Sequence, residues 1–298
     1  MSITIAQMKA VEALARTGKF SLAADELGIT QPTISSQVQA FERLCSRRVF
    51  IRNGYTVQLA PGADELLAKI RITLKCLADV DEAIGVGAQL TMGSLSFGFS
   101  AHRLVMNSLT AFVQKYPNVR LKTHGGPSLK LMEDVLSGAL DIAAVSMERP
   151  DSRLYCAELS RSRVMIYGRK GHPALQNGFL PTQALAQEKL VLWNQSSGTR
   201  KLLDQAAEQQ NFKLNCILEV STLDVAYASA AAGIGLCCAI EGEVQADENI
   251  DVVPLEPKLE IGHYLVCLPE CRDHAAVNAF LEVAGCQETS FTGAIPKA

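Results

Sequence analysis

Hydrophobic residues recur every three or four positions at the start of the chain. Four of them predict a short amphipathic helix that ends near Gly18: Met8, Val11, Leu14 and Ala15. A second helix is expected from Ser21, its predicted N-cap, to a glycine turn at Gly28. Thr30 is the predicted N-cap of a third helix. Two short helices joined by a glycine turn form a helix-turn-helix.

The third helix has an apolar face and a polar face. Helical spacing places on its apolar face Ile34, Val38, Phe41 and Cys45. Opposite that face or on its flank lie Pro32, the cation Arg43 and four short hydrogen-bonding side chains: Gln31, Ser35, Ser36 and Gln39. Such side chains can read base edges in a major groove and contact phosphate, although an ordinary surface helix has the same pattern.

Residues 47–59 alternate in the manner of two short strands around an Asn53-Gly54 turn. The first strand carries the cations of this hairpin, at Arg47, Arg48 and Arg52. A basic hairpin beside a helix-turn-helix predicts a wing that reaches the DNA backbone or the minor groove.

A long helix is predicted between Gly62 and Gly85, because no internal Gly or Pro interrupts this stretch. Its apolar positions follow 3/4 spacing: Leu67, Ile70, Leu74, Leu77 and Ile84. A seam of this kind indicates pairing with a second copy of the helix. Packing against the chain's own body is the alternative.

After residue 90 the pattern alternates between strands and helices in two series. The first series has strands at 94–99, 119–123 and 141–146 and helices at 105–116 and 129–137. The second series has strands at 190–193, 216–220 and 235–240 and helices at 200–211 and 223–232. This alternation predicts parallel sheets flanked by helices. A last strand at 263–268 and a helix at 275–284 are expected to rejoin the first series.

The composition narrows the function. With 298 residues, 48% hydrophobic and 20% charged, the chain is expected to form two or three folded units and not a disordered protein. The uncharged stretch from Val225 to Ile240 is too short for a membrane-spanning helix, and the charged N-terminus argues against a secretory signal. We therefore expect no membrane partner and a cytoplasmic location. Residues 1–60 hold seven Lys/Arg against four Asp/Glu, a net charge of +3 that fits a polyanionic partner.

The chemistry-bearing residues predict neither an enzyme nor a cofactor-binding protein. Nine cysteines without a Cys-x-x-Cys pair indicate mostly buried thiols. The five histidines include no pair three or four residues apart, so no metal ion is expected. There is no Gly-x-Ser-x-Gly elbow and no His-Glu-x-x-His motif, and Gly233-Ile234-Gly235 predicts a plain helix-to-strand turn.

Hydroxyl groups cluster where ligands bind in open α/β sheets, beyond the carboxyl ends of strands. Ser100 follows the strand at 94–99, and the run from Asn194 to Arg200 follows the strand at 190–193. Ser128 and Ser146 are weaker candidates at corresponding ends of the first series. Hydroxyls, amides and an arginine suit a small carboxylate or phosphonate, whereas helix capping alone explains any single hydroxyl.

The run from Phe20 to Gly62 resembles the winged head of LysR-type transcriptional regulators. The resemblance is carried by Ala23-Ala24, Thr30-Gln31-Pro32-Thr33-Ile34-Ser35, Phe41-Glu42, Phe50-x-Arg52 and Ala60-Pro61-Gly62. The chain departs from the family at Cys45 and Ser46, where Leu and Gly are usual. Three further phrases resemble a branch of the family associated with aminoethylphosphonate catabolism: Asn53-Gly54, Ser197-Gly198-Thr199-Arg200 and Tyr264-Leu265-Val266-Cys267-Leu268.

This resemblance implies an α/β protein in three parts. They are a winged helix-turn-helix DNA-binding domain at 1–60, a linker and dimerisation helix at 61–89, and a periplasmic-binding-protein-like effector body at 90–298. The body would contain subdomain I, about residues 90–163 and 268–298, and subdomain II, about residues 164–267. The implied function is a sequence-specific transcriptional regulator that binds double-stranded promoter or operator DNA as a homodimer or homotetramer. A small anionic effector, a carboxylate or phosphonate, would control it from between the subdomains.

Two sets of site residues follow from these patterns and the resemblance. The residues expected to contact DNA are Ser21, Thr30, Gln31, Pro32, Thr33, Ser35, Ser36, Gln39, Arg43, Arg52 and Asn53. Those expected to contact the effector are Ser100, Ala101, His102, Ser128, Ser146, Ser196, Ser197, Thr199 and Arg200. Two alternatives stay open: a thiol-based redox-sensing regulator of the same family, and a cytoplasmic small-molecule-binding α/β protein.

Overall fold

The computed structural model describes residues 2–46, 48–53, 56–84, 93–285 and 287–288. The chain divides into two compact units, which are Met1–Gln89 with Leu136–Ala139, and Leu90–Val135 with Leu140–Ala298. Within the described residues, the helices are all too short or too polar to cross a membrane.

The first unit begins with three helices and a hairpin, as the sequence predicts. Its elements are α1 (Ile5–Thr17), α2 (Phe20–Leu27), α3 (Gln31–Glu42), β1 (Phe50–Asn53), β2 (Thr56–Leu59) and α4 (Asp64–Ile84). Gly28 adopts the left-handed conformation that ends α2, with a φ of 66°. The predicted N-cap of α2 is wrong, because the helix starts one residue before Ser21 and its N-cap is Lys19. The hairpin turn at Gly54 and Tyr55 lies outside the described residues.

The core of the head also includes the start of the linker helix. Ile34, Val38 and Phe41 of α3 are fully buried against α1 and α2, as their spacing predicts. Leu67 and Ile70 of α4 join the same core. These two positions were predicted to lie in a seam with a second copy, but burial of their apolar surface inside the head stabilises them there instead. The seam available to a second helix is therefore shorter than the spacing suggests.

The body contains the remaining elements. Its strands are β3 (Gly93–Phe99), β4 (Val119–Gly125), β5 (Ile142–Met147), β6 (Tyr155–Arg169), β7 (Leu180–Pro181), β8 (Leu190–Trp193), β9 (Cys216–Val220), β10 (Leu236–Ile240), β11 (Ile250–Glu256), β12 (Glu260–Cys267) and β13 (Gln287–Glu288). Its helices are α5 (Met106–Lys115), α6 (Ser128–Leu136), α7 (Gly198–Gln209), α8 (Leu223–Ala231) and α9 (Ala275–Ala284).

The body's strands form two subdomain sheets that share one long strand. In the first, β3 pairs in parallel with β4 and β5, and β12 runs antiparallel to β5. In the second, β8 pairs in parallel with β9 and β10. The shared strand β6 pairs antiparallel with β12 through its first half and with β10 and β11 through its second half. The two short strands β7 and β13 pair with β11 and β6.

The prediction of parallel sheets is correct for the central strands of each subdomain. It is incomplete where the two subdomains join. The expected return of the strand at 263–268 to the first series is confirmed, since His263 pairs with Ser146. β12 therefore belongs to subdomain I, whereas the expected bounds of subdomain II ran to residue 267. The antiparallel strands β6 and β11 escaped prediction. Burial along the 15 residues of β6 follows no single pattern: the first half is mostly half-buried, and a buried run appears only near the end, because the strand passes from one sheet to the other and meets different neighbours in each.

Candidate functional site

The polar face of α3 is available to a partner. Its side chains at Gln31, Pro32, Thr33, Ser36, Gln39 and Arg43 are exposed, whereas Ser35 is half-buried. The hydroxyl of Thr30 caps the helix by accepting from the amide of Thr33 at 3.4 Å. An exposed surface of short hydrogen-bonding groups beside a helix N-terminus is suited to base edges and phosphate oxygens.

Hydrogen bonds at Glu42 and Gly18 help to fix the wing to the head. Oε1 of Glu42, at the end of α3, accepts hydrogen bonds from the amides of Val49 and Phe50 at 3.2 and 3.1 Å. The amide of Val57 in β2 donates to the carbonyl of Gly18 at 2.8 Å. The role of Glu42 was not recognised from the sequence, because an acid on a basic head gives no signal of its partner.

Three of the predicted DNA-binding residues lie on α2 and β1. Ser21 is exposed on α2, next to the start of the helix. The exposed guanidinium of Arg52 lies 5.0 Å from the ring centroid of Phe20, which stacks this cation against α2. The side chain of Asn53 lies outside what the structure describes.

The body contains a cavity of about 560 Å³ that both subdomains line. Seven of the residues predicted to contact the effector line it: Ser100, Ala101, His102, Ser128, Ser146, Ser197 and Thr199. They come from the carboxyl ends of β3 and β5 and from the first turns of α6 and α7, as expected for an open α/β sheet.

Two other predicted effector residues, Ser196 and Arg200, are absent from the cavity lining. The guanidinium of Arg200 is buried, and its Nε donates to Asp204 Oδ1 at 2.9 Å. Its Nη1 donates to the carbonyl of Trp193 at 3.1 Å. The carbonyl of Ser196 accepts from the amide of Leu129 at 3.2 Å. The arginine that was expected to contact an anion is therefore engaged by partners within its own subdomain.

Three serines form a hydrogen-bonded cluster on the subdomain I side of the cavity. Ser128 Oγ accepts from the amide of Ser146 at 3.0 Å. The hydroxyls of Ser100 and Ser146 lie 3.5 Å apart. Ser146 Oγ lies 2.9 Å from Nδ1 of His263, a fully buried histidine of β12. His263 was not among the predicted site residues, although a lone histidine in an otherwise apolar strand signals a polar partner nearby.

The opposite wall is the first turn of α7. Ser197 is its N-cap and accepts from the amide of Arg200 at 3.4 Å. The hydroxyl of Thr199 is therefore not needed as the cap. Because the amides of a helix's first turn have no partner within the helix, this turn offers hydrogen-bond donors to a ligand.

One carboxylate also lines the cavity and was not predicted. Glu243 follows the end of β10, and its Oε2 accepts from the amide of Ile240 at 3.1 Å. Burial raises the pKa of this carboxyl group above its usual value. It stands just after the end of another strand, β10, so the same rule that selected Ser100 could have found it.

The described cysteines form no disulfide with one another, and most of those in the body are buried. Burial raises the pKa of the Cys156 thiol to about 11 and the pKa values of Cys237 and Cys267 to about 12. Cys76 and Cys216 are exposed. Among the residues that the structure describes, no group of three or more His, Cys, Asp or Glu could hold a metal ion.

Comparison with known proteins agrees with this division of the chain. Residues 5–63 match the family of bacterial regulatory helix-turn-helix proteins of the lysR type, and residues 88–287 match the LysR substrate binding domain. The chain is 24% identical over 233 residues to the uncharacterized HTH-type transcriptional regulator YybE of Bacillus subtilis, covering 77% of this chain and 80% of YybE.

Solved structures have the same fold. A full-length OxyR variant from Pseudomonas aeruginosa aligns with a TM-score of 0.77 at 16% identity, over 96% of this chain and 99% of that one. Full-length CbnR in complex with its target DNA aligns with a TM-score of 0.54 at 15% identity, over 95% of this chain and 98% of CbnR.

Proposed function

We propose that this chain, which belongs to the LysR family of DNA-binding transcriptional regulators, changes its action on a promoter when a small anion binds between the two subdomains of its body. The observation that carries this proposal is the cavity. It combines the hydroxyls of Ser100, Ser128 and Ser146 with the first turn of α7 on the opposite wall. Hydroxyl groups and unpaired helix amides are donors that suit oxyanions.

We propose that α3 enters the major groove of an operator. Its exposed groups include two amides that can pair with base edges, Gln31 and Gln39. Arg43 at the end of the helix and Arg52 on the wing would contact phosphates, which position the head without reading sequence. Ser21, Thr30 and Thr33 flank this face and complete the proposed interface, with Asn53 at the wing.

We propose a carboxylate or phosphonate as the effector, with a phosphonate as the first compound to test. The resemblance of Ser197-Gly198-Thr199-Arg200 and of the β12 sequence to the branch associated with aminoethylphosphonate catabolism supports this choice. The site would hold the anion without an arginine, since Arg200 is paired with Asp204. Ser196 then acts through its carbonyl, which joins the subdomains, and not through its hydroxyl.

We propose that the active protein is a homodimer or homotetramer that acts in the cytoplasm. A recognition helix on one head covers a half-site, and two heads are needed to meet successive turns of a duplex. The contacts in α4 that pair two chains would lie after Ile70, because the apolar residues before it belong to the head's own core. Light scattering on the purified chain tests the assembly, and a monomer would contradict it.

Thiol-based redox sensing is the alternative, and the thiol environments weigh against it. A sensor cysteine reacts as a thiolate, so it needs a pKa near or below neutral. Burial raises the pKa of Cys156, Cys237 and Cys267 to about 11 or 12, and it also raises that of Cys238. A purified chain that gains mass in dilute peroxide at the exposed Cys76 or Cys216, and changes its DNA affinity with it, would favour this alternative.

One experiment tests both halves of the proposal. The full-length chain selects duplexes from a random pool, and the selected duplex is retarded on a gel with and without methylphosphonate, aminoethylphosphonate or acetate. Binding of the same compounds is followed by fluorescence of the single tryptophan, Trp193, which lines the cavity. Failure to select any duplex would contradict the DNA interface, and selection without any response to these anions would contradict the effector class.

A further inference from the structure

A buried histidine lies directly behind the hydroxyls of the cleft. His263 is 1% exposed, and the register of β12 with β5 sets it opposite Ser146. Its Nδ1 lies 2.9 Å from Ser146 Oγ. Its Nε2 is buried without a hydrogen-bond partner among the described residues. A buried polar ring with one bonded nitrogen and one unpaired nitrogen constrains where its proton can be.

The unpaired nitrogen decides between the two neutral tautomers. A proton on Nε2 would leave a buried N–H donor without an acceptor, and such orphaned donors are rare in folded proteins. A proton on Nδ1 donates to Ser146 Oγ and leaves Nε2 as an unpaired acceptor, which is the milder defect. Burial lowers the pKa of His263 to about 4, so the ring is neutral near pH 7 and carries one proton. The geometry therefore favours the tautomer with its proton on Nδ1.

This tautomer fixes the direction of the neighbouring hydroxyl groups. Because Ser146 Oγ accepts from His263, its own proton points elsewhere, toward Ser100 Oγ at 3.5 Å or into the cavity. Ser128 Oγ already accepts from the amide of Ser146, so its proton is also free to be donated. Each hydroxyl has one proton to donate. The protons of Ser146 and Ser128 both point away from the protein groups that donate to these oxygens.

We propose that His263 is a positioning residue that orients the Ser146 hydroxyl as a hydrogen-bond donor. This wall of the cleft then selects a fully ionised oxyanion over a ligand group that must itself donate a hydrogen bond. The inference rests on the proposed function, because it assigns the polarity of the effector site. It adds a specificity-determining residue that does not touch the ligand and acts through Ser146.

The tautomer can be measured in the full chain without any ligand. Nitrogen-15 labelling of the five histidines and long-range proton–nitrogen correlation spectra distinguish a protonated Nδ1 from a protonated Nε2. The His263 signals are those missing from the spectrum of His263→Asn. We expect the proton on Nδ1 at pH 7.5. A proton on Nε2 in the wild-type protein overturns the proposal.

The effect on ligand polarity is tested with inorganic sulfate, an oxyanion that only accepts hydrogen bonds near neutral pH. Trp193 fluorescence follows its binding to the wild type, Ser146→Ala, His263→Phe and the double variant. We expect each single variant to bind sulfate about ten- to a hundredfold more weakly, as for loss of a hydrogen bond to a charged group. The double variant should bind no more weakly than Ser146→Ala, since His263 acts through that hydroxyl.

Rescue separates orientation of the hydroxyl from a general packing role. In His263→Asn the amide nitrogen can replace Nδ1 as a donor, so this variant should regain most of the sulfate affinity that His263→Phe loses. His124→Asn is the matched control, because His124 is exposed and does not line the cavity. Independent, additive losses in the double variant, or no rescue by asparagine, would overturn the proposal. If the wild type does not bind sulfate at all, the anion site itself fails, while the tautomer measurement still decides the role of His263.

Discussion

Gly198 lies so close to Ser146 that a Cβ at residue 198 would lie 2.1 Å from the Ser146 carbonyl oxygen. The two residues belong to different subdomains, at the start of α7 and near the end of β5. A backbone hydrogen bond from Leu129 to Ser196 joins the same two walls at 3.2 Å. Glycine at residue 198 therefore allows the subdomains to approach each other beside the cavity.

Gly198→Ala should hold the cleft open at this point. A Cβ cannot stand 2.1 Å from a backbone oxygen, so the walls must separate, and the strain or lost contact should destabilise the closed form by about 1 to 3 kcal/mol. We expect DNA binding to persist, weaker sulfate binding by Trp193 fluorescence, and a reduced transcriptional response. Gly126→Ala is the control, because its Cβ would meet Leu131 at an ordinary 3.7 Å in the same cavity. Equal responses of the two variants would contradict this role of Gly198.

Substitutions on α3 and the wing should change DNA binding in different ways. Gln39→Ala should lower affinity for the selected duplex by about 1 to 3 kcal/mol, because it removes a base-edge contact. Arg52→Ala should lower affinity for all duplexes and reduce the dependence on salt, since a phosphate contact releases counterions. Gel retardation at several salt concentrations separates the two effects. The control is Gln37→Ala, because Gln37 is half-buried on another side of α3. A loss of duplex affinity in this variant equal to that in Gln39→Ala would contradict the assignment of Gln39.

Glu42→Ala should loosen the wing without unfolding the helices. It removes the acceptor of the Val49 and Phe50 amides, and each lost bond costs about 1 kcal/mol or more when the donors stay partly buried. We expect faster hydrogen exchange in residues 49–59 and weaker binding to every duplex. Glu42→Gln keeps a carbonyl oxygen at this place and should behave nearly as the wild type. Unchanged exchange in Glu42→Ala would show that β1 is held by other contacts.

The sequence predicts elements more completely than it predicts the contacts that build the sites. The helices of the head and the strand at Leu190–Trp193 follow from local periodicity and caps, which depend on neighbours in sequence. Leu67 and Ile70 have the same 3/4 spacing whether they meet a second chain or α1, so the spacing could not assign them to the head core. The pairing of Arg200 with Asp204, four residues on along α7, was open to prediction, because residues at that spacing share a helix face.

The partners of His263 could not be derived from the local pattern. Ser146 precedes it by 117 residues, and the pairing depends on the register of β12 against β5. β6 was missed for a related reason. Its residues face two different sheets in turn, so neither strict alternation nor a continuous apolar run spans its length.

The free energy of unfolding of the body should fall as the pH drops, because burial keeps His263 neutral at pH values at which an ordinary histidine is protonated. The pKa of the ring is about 4 in the folded protein, against 6.5 for an ordinary histidine. Between these values the unfolded chain binds more protons than the folded chain, so stability is complete above pH 6.5 and declines toward pH 4. The pKa difference corresponds to about 3 kcal/mol. Thermal melting followed by Trp193 fluorescence should show a shallower decline in His263→Asn than in the wild type; parallel curves would contradict the assignment.

Ser197 and Thr199 should separate helix capping from ligand binding. Ser197 Oγ accepts from the amide of Arg200, so Ser197→Ala should lower stability by about 1 kcal/mol with or without a ligand. Thr199 lies within the first turn, lines the cavity and is not the N-cap. Thr199→Ala should leave the stability of the free protein nearly unchanged and reduce its stabilisation by sulfate or by the cognate effector. Thermal melting of both variants with and without the ligand makes the comparison, and Ser100→Ala tests the opposite wall. If Thr199→Ala and Ser100→Ala both keep full stabilisation and a normal transcriptional response, the effector binds elsewhere.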